Sequence, residues 1–184
     1  MLDLVLRSLS LKDEARAGWL LRGVNSPESV ADHSWGTALL CLLHARRAGV
    51  EPCRAVSMAV VHDLAEAVTG DVATRVAAMD DPDAANSKRR RETEGMDRLL
   101  TGVRTEDAEV VRKLWEEYEE NATATARFVR DMNLLDMCAQ AYRYEDDNRY
   151  DPRNPNSNFP DFGGMDEFYA TTRPRLSSRI GEEL

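Results

Sequence analysis

Apolar residues along this chain recur every three or four positions and nowhere alternate with polar ones over a strand's length, so the pattern predicts helices from end to end. Ser29-Val30-Ala31-Asp32 has the form of a capping box, with Ser29 as N-cap and Asp32 at N3, opening a helix that Gly49 closes. Pro52 suits the first turn of the next helix, which runs through Met58, Val61, Leu64 and Ala65 until Thr69-Gly70 stops it. Further helices are expected over about 83–100, 107–119 and 124–149. In the last of these, Phe128, Met132, Leu135, Ala139 and Tyr142 form the expected buried stripe, with Asn133, Asp136 and Gln140 on an adjoining face. Residues 151–164, with three prolines, three asparagines and two glycines, read as a long loop, and a last helical segment follows from about Met165. No repeat or linker divides the chain. The expectation is one all-α domain, a helical bundle spanning 1–184.

A length of 184 residues is enough to bury one core without disulfide or metal staples, so any metal is expected to serve chemistry. The net charge of -9 argues against nucleic-acid polymers and anionic membranes, which are bound by clustered Lys and Arg. A small phosphorylated ligand needs only a few cations and stays open. Cys41, Cys53 and Cys138 are scattered and odd in number, which fits a reducing compartment rather than a disulfide framework. The charged N-terminal stretch lacks a signal-peptide pattern, and the longest apolar run, 38–43, is too short to span a bilayer. A cytoplasmic protein is expected.

Three histidines occur, and two of them sit in polar-apolar junctions that draw attention. His33 lies in the first turn of the capped helix, where a capping or core histidine is the commoner outcome. The pair His62-Asp63 changes that reading, because it follows the apolar run Met58-Ala59-Val60-Val61 and so carries adjacent ionisable groups into a buried helix. A divalent cation held by His33, His62 and Asp63 offsets that cost, with Glu66, one turn after His62, poised as an acid/base group. His44, 11 residues after His33, is about 16 Å further along the helix at ~1.5 Å per residue and is read as structural. Lys88-Arg89-Arg90-Arg91 is most simply a solvated face paired with Glu92 and Glu94, with a phosphate or partner contact as the sharper alternative.

The segments Glu28-Ser29-Val30-Ala31-Asp32-His33-Ser34-Trp35 and His62-Asp63-Leu64-Ala65-Glu66-Ala67-Val68-Thr69-Gly70-Asp71 together resemble the HD-domain metal-dependent phosphohydrolases, in particular their 5'-deoxynucleotidase-like branch. The similarity covers about residues 12–150. It implies an all-helical fold, a homodimer, one divalent metal held by two His and two Asp, and hydrolysis of nucleoside 5'-monophosphates to nucleoside and phosphate. Carried onto this chain, it makes His33, His62 and Asp63 ligands and gives the attacking water to Glu66. Asp71 then lies near the sugar hydroxyls or assists proton transfer, Trp19 packs beside the sugar against a 2'-hydroxyl, and Arg16 or Arg22 holds phosphate.

One position departs from the pattern. Where the family's last ligand is an Asp, this chain has Asn133, within Val129-Arg130-Asp131-Met132-Asn133-Leu134-Leu135-Asp136-Met137. An amide oxygen ligates without bringing charge, so the expected site binds its metal less tightly, with Asp136 one turn away as the obvious substitute. Such a site suits Mn, Fe, Co, Ni or Zn. The competing reading is a catalytically weakened nucleotide-binding or regulatory protein on the same fold, against which the intact Glu66 and Asp71 speak. A di-iron oxygenase would need more histidines than this chain supplies.

Overall fold

The computed structural model describes residues 2–72, 82–150 and 161–184, with the backbone alone at 82–85. Among them the elements are helical: α1 (Leu2–Ser8), a 3-10 turn (Leu9–Lys12), α2 (Ala17–Leu21), α3 (Val30–Ala48), α4 (Pro52–Val61) and α5 (Glu66–Thr69). The chain continues with α6 (Pro82–Leu100), α7 (Thr105–Glu120), α8 (Ala124–Asp146), α9 (Asp166–Thr172), a 3-10 turn (Arg173–Arg175) and α10 (Arg179–Glu183). One isolated antiparallel bridge, Ala15 to Ser29, ties the entry segment to the start of α3. Most of the expected 151–164 loop lies outside the described residues.

The local signals that predict helix ends act physically. Asp32 N donates to Ser29 Oγ at 3.1 Å while Ser29 N donates to Asp32 Oδ2 at 2.9 Å, which completes the capping box and pins His33 in the first turn of α3. Gly49 ends α3 at φ +74°, a left-handed conformation that glycine adopts without a Cβ clash. Glu51 caps α4 by accepting from Cys53 N and Arg54 N, and Pro52 occupies the first turn, where its missing N–H is no loss.

Helices α3, α4 and α8 enclose the main core, built on Cys41, Ala45, Ala55, Met58, Phe128 and Met132. A second cluster joins Trp19 and Val24 to Ala141, Tyr144, Met165 and Phe168, and a third packs Val61 and Ala65 against Met96, Leu99 and Trp115.

Two expectations are corrected. The helix expected from Pro52 to Thr69 is broken by turns at 62–65, where bonds such as Glu66 N to Asp63 O close over three residues instead of four. Neighbours on a regular helix point about 100° apart, and the tightened turn lets His62 and Asp63 face one point. The stripe on α8 also rotates: Phe128 and Met132 are buried, but Ala139 and Tyr142 are exposed and Ala141 and Tyr144 are buried instead. The second half of α8 packs on Trp19, Met165 and Phe168, elements whose position local periodicity does not encode.

Candidate metal centre

Three elements converge on one point. The capped start of α3 supplies His33, the turn after α4 supplies His62 and Asp63, and α5 begins with Glu66. Ligand atoms of His33, His62 and Asp63 lie within 4.8 Å of one another, close enough to hold a single ion. His62 Nε2 is 3.1 Å and His33 Nε2 3.9 Å from Asp63 Oδ2.

The histidines are oriented from behind. Ala59 O, which only accepts, lies 2.7 Å from His62 Nδ1, and Asp136 Oδ2 lies 2.7 Å from His33 Nδ1. With the protons on Nδ1, both Nε2 atoms carry lone pairs directed at the site, the arrangement found where imidazole binds metal. Both Nε2 atoms are buried with no hydrogen-bond partner among the described residues, as is Glu66 Oε2. Buried polar atoms left bare on three converging side chains are costly, and a cation with its water satisfies all of them. Burial, followed by the charge of Arg16, holds His33 well below its ordinary pKa, which keeps it neutral as a ligand must be.

Charge points the same way. Arg16 Nη1 sits 3.3 Å from Asp63 Oδ2, 3.5 Å from Asp71 Oδ2 and 3.9 Å from Glu66 Oε2, and Ala17 N donates to Asp71 Oδ2 at 2.8 Å. One guanidinium thus faces three carboxylates. Burial works to raise the pKa of Asp63, but His62 and Arg16 outweigh it and hold the carboxylate well below its usual range. Burial, followed by the charges of Asp63 and Asp71, pushes Glu66 up to about 10.

Other expected residues stand further back. Asn133 Nδ2 donates to Tyr118 Oη at 2.6 Å, and the Tyr118 ring packs edge-on against His62 at 5.2 Å. Asp131, by contrast, is bound by Ser177 and Ser178 and belongs to the C-terminal packing. Trp19 is only 2% exposed; it packs on Phe168 and Tyr144, and its Nε1 donates to Glu28 Oε1 at 2.8 Å. Arg22 pairs with buried Glu167 at 3.2 Å and donates to Gly164 O, so its charge is already committed. The structure joins Arg16 to the centre and gives Trp19 and Arg22 other partners.

Sequence reading missed the supporting layer. Asp136 stands behind His33, and Glu28 lies close enough to group with both. Burial pushes the carboxyls of Glu28 and Asp136 each up to about 7. Gly36 makes the Asp136 contact possible, because a Cβ there would fall 2.0 Å from Asp136 Oδ1. A glycine inside a helix, three residues after a candidate ligand, was the available signal, since it costs about 0.5–1 kcal/mol relative to alanine unless close packing requires it.

Comparison with known proteins agrees with this geometry. The HD-domain family model matches residues 9–159, and the chain belongs to that family. A cattle protein named 5'-deoxynucleotidase HDDC2 is 36% identical over 91% of this chain and 73% of its own length. The Xenopus laevis protein of the same name is 37% identical over 74% of this chain and 65% of its own length. The crystal structure of a Pyrococcus horikoshii protein superposes with a TM-score of 0.72 at 31% identity, covering 99% of this chain and 92% of that one.

Proposed function

We propose that this chain is a metal-dependent phosphohydrolase that cleaves nucleoside 5'-monophosphates, with 2'-deoxynucleotides preferred, to nucleoside and phosphate. The observation that carries the reading is the pair of buried, bare Nε2 atoms of His33 and His62 converging with Asp63 beside bare Glu66 Oε2. The relatives named 5'-deoxynucleotidases support the reaction and the sugar.

His33, His62 and Asp63 would hold one divalent transition metal (Mn, Fe, Co, Ni or Zn), with the Asn133 amide oxygen as neutral fourth ligand. When bound, the ion supplies Lewis-acid polarisation of the attacking water and of a phosphoryl oxygen. Glu66 Oε2 takes the proton of that water as the oxygen attacks phosphorus and the bond to the 5'-oxygen breaks. Asp71, held by Ala17 N, assists delivery of a proton to the leaving oxygen. Arg16, relieved of part of its carboxylate load by the metal, is placed to meet a phosphoryl oxygen. Trp19 acts on the sugar side through Glu28, which it anchors.

Among the described residues no helix is long and apolar enough to cross a membrane, and the three cysteines are free. Both fit a cytoplasmic enzyme. An exposed apolar row on α3 (Trp35, Leu39, Leu42 and Leu43) supports a homodimer, for which light scattering should give twice 20.7 kDa and a monomer mass would remove the idea.

The decisive experiment is phosphate release from ribo- and deoxyribonucleoside 5'-monophosphates, each with Mn, Co, Ni, Zn and Mg. Release is expected from the deoxy series with a transition metal. No release from any combination would overturn the reading.

A further inference from the structure

Helix α6 lies closely across α5 because Gly95 has no side chain: a Cβ there would meet Thr69 Cγ2 at 2.8 Å and Ala65 O at 3.3 Å. Lys88, Glu92, Gly95 and Leu99 follow one another at intervals of four, three and four residues, so they share one face of α6. Gly95 and fully buried Leu99 fix that face toward α5 and the end of α4. Lys88 shares that face two turns nearer the start of α6, and its charge interacts with that of Glu66, the first residue of α5. Its ammonium lies 3.4 Å from Glu92 Oε1, while its side chain keeps 37% exposure. Burial opposes its charge, yet Glu92, Glu66, Asp63 and Asp71 together hold its pKa above the ordinary value. Its charge thus acts on three carboxylates of the metal centre.

The charge balance gives this cation a task. With Glu66 ionised beside a bound metal, Asp63, Glu66 and Asp71 against Arg16 leave a formal excess of two negative charges, which a divalent metal cancels. A phosphate monoester then brings close to two further negative charges into a site with no cation in surplus. We infer that Lys88, held ready by Glu92 on the α5-facing side of α6, is a phosphate-positioning residue that swings from Glu92 to the substrate's phosphoryl oxygens. The inference rests on the phosphohydrolase reading above.

The test uses the metal-loaded full chain and compares wild type with Lys88→Met and Lys88→Arg. Binding of inorganic phosphate is measured by calorimetry, and KM for a nucleoside monophosphate and inhibition by the matching nucleoside are measured by kinetics. Lys88→Met should weaken phosphate binding and raise KM about tenfold or more, as expected for loss of a charge-assisted contact. Nucleoside inhibition should stay within twofold, and Lys88→Arg should restore most of the phosphate affinity. Unchanged phosphate binding in Lys88→Met would overturn the inference, as would an equal loss for phosphate and nucleoside, which marks a merely structural role. If wild type binds phosphate through Lys88 yet hydrolyses no nucleotide, the reaction reading fails while the phosphate site stands.

Discussion

Asp131 and Glu66 are both carboxylates sealed inside the same bundle, and they are treated in opposite ways. Asp131 accepts from Ser177 N, Ser177 Oγ, Ser178 N and Ser178 Oγ, at 2.5 to 3.3 Å, and Gly181 leaves room for it because a Cβ there would lie 2.3 Å from Oδ2. Glu66 has one oxygen with no hydrogen-bond partner among the described residues and four charged neighbours, Asp63, Asp71, Arg16 and Lys88, that do not agree in sign. A fully satisfied buried carboxylate holds structure together, here the C-terminal segment on α8. A buried carboxylate left bare beside two bare imidazole nitrogens is a place kept for a ligand.

The sharpest way to break this contrast is to remove the bare carboxylate. Glu66→Ala should lower kcat by ~10²- to 10⁴-fold while leaving metal content and melting temperature nearly unchanged. Elemental analysis alongside phosphate release checks both halves, and a rate near the parental one would transfer the proton to Asp71.

A smaller loss is expected from crowding the support behind His33. In Gly36→Ala the new Cβ displaces Asp136 from His33 Nδ1, so metal affinity should fall ~10- to 100-fold, as it does when a ligand's outer partner is lost. Metal titrations of Gly36→Ala, Asp136→Ala and the double variant check the route. The double variant should be no weaker than Asp136→Ala alone; additive losses would mean that Gly36 acts otherwise.

The smallest effect on chemistry belongs to the satisfied carboxylate. Asp131→Ala strands the donors of Ser177 and Ser178 and should cost about 1–3 kcal/mol of stability, read as a lower denaturant midpoint. The kcat of the metal-loaded, folded fraction should stay within about twofold. A large fall in that kcat would erase the distinction between the two sites.

Much of the site is legible in the order of residues along the chain. The spacing of His33, His62, Asp63 and Glu66 and the departure at Asn133 belong to that order, and so does the capping box that fixes the start of α3. Hydrogen bonds over three or four residues and helical periodicity are local, so the sequence states them directly. The break at 62–65, the rotated stripe of α8, Asp136 behind His33, the commitment of Arg22 to Glu167 and the reach of Lys88 were decided by tertiary packing. Each depends on which helix lies against which, across separations such as the 103 residues between His33 and Asp136. Periodicity says that a face is buried, but the identity of the surface that covers it, and therefore the partner each polar atom finds, exists only once the helices have packed.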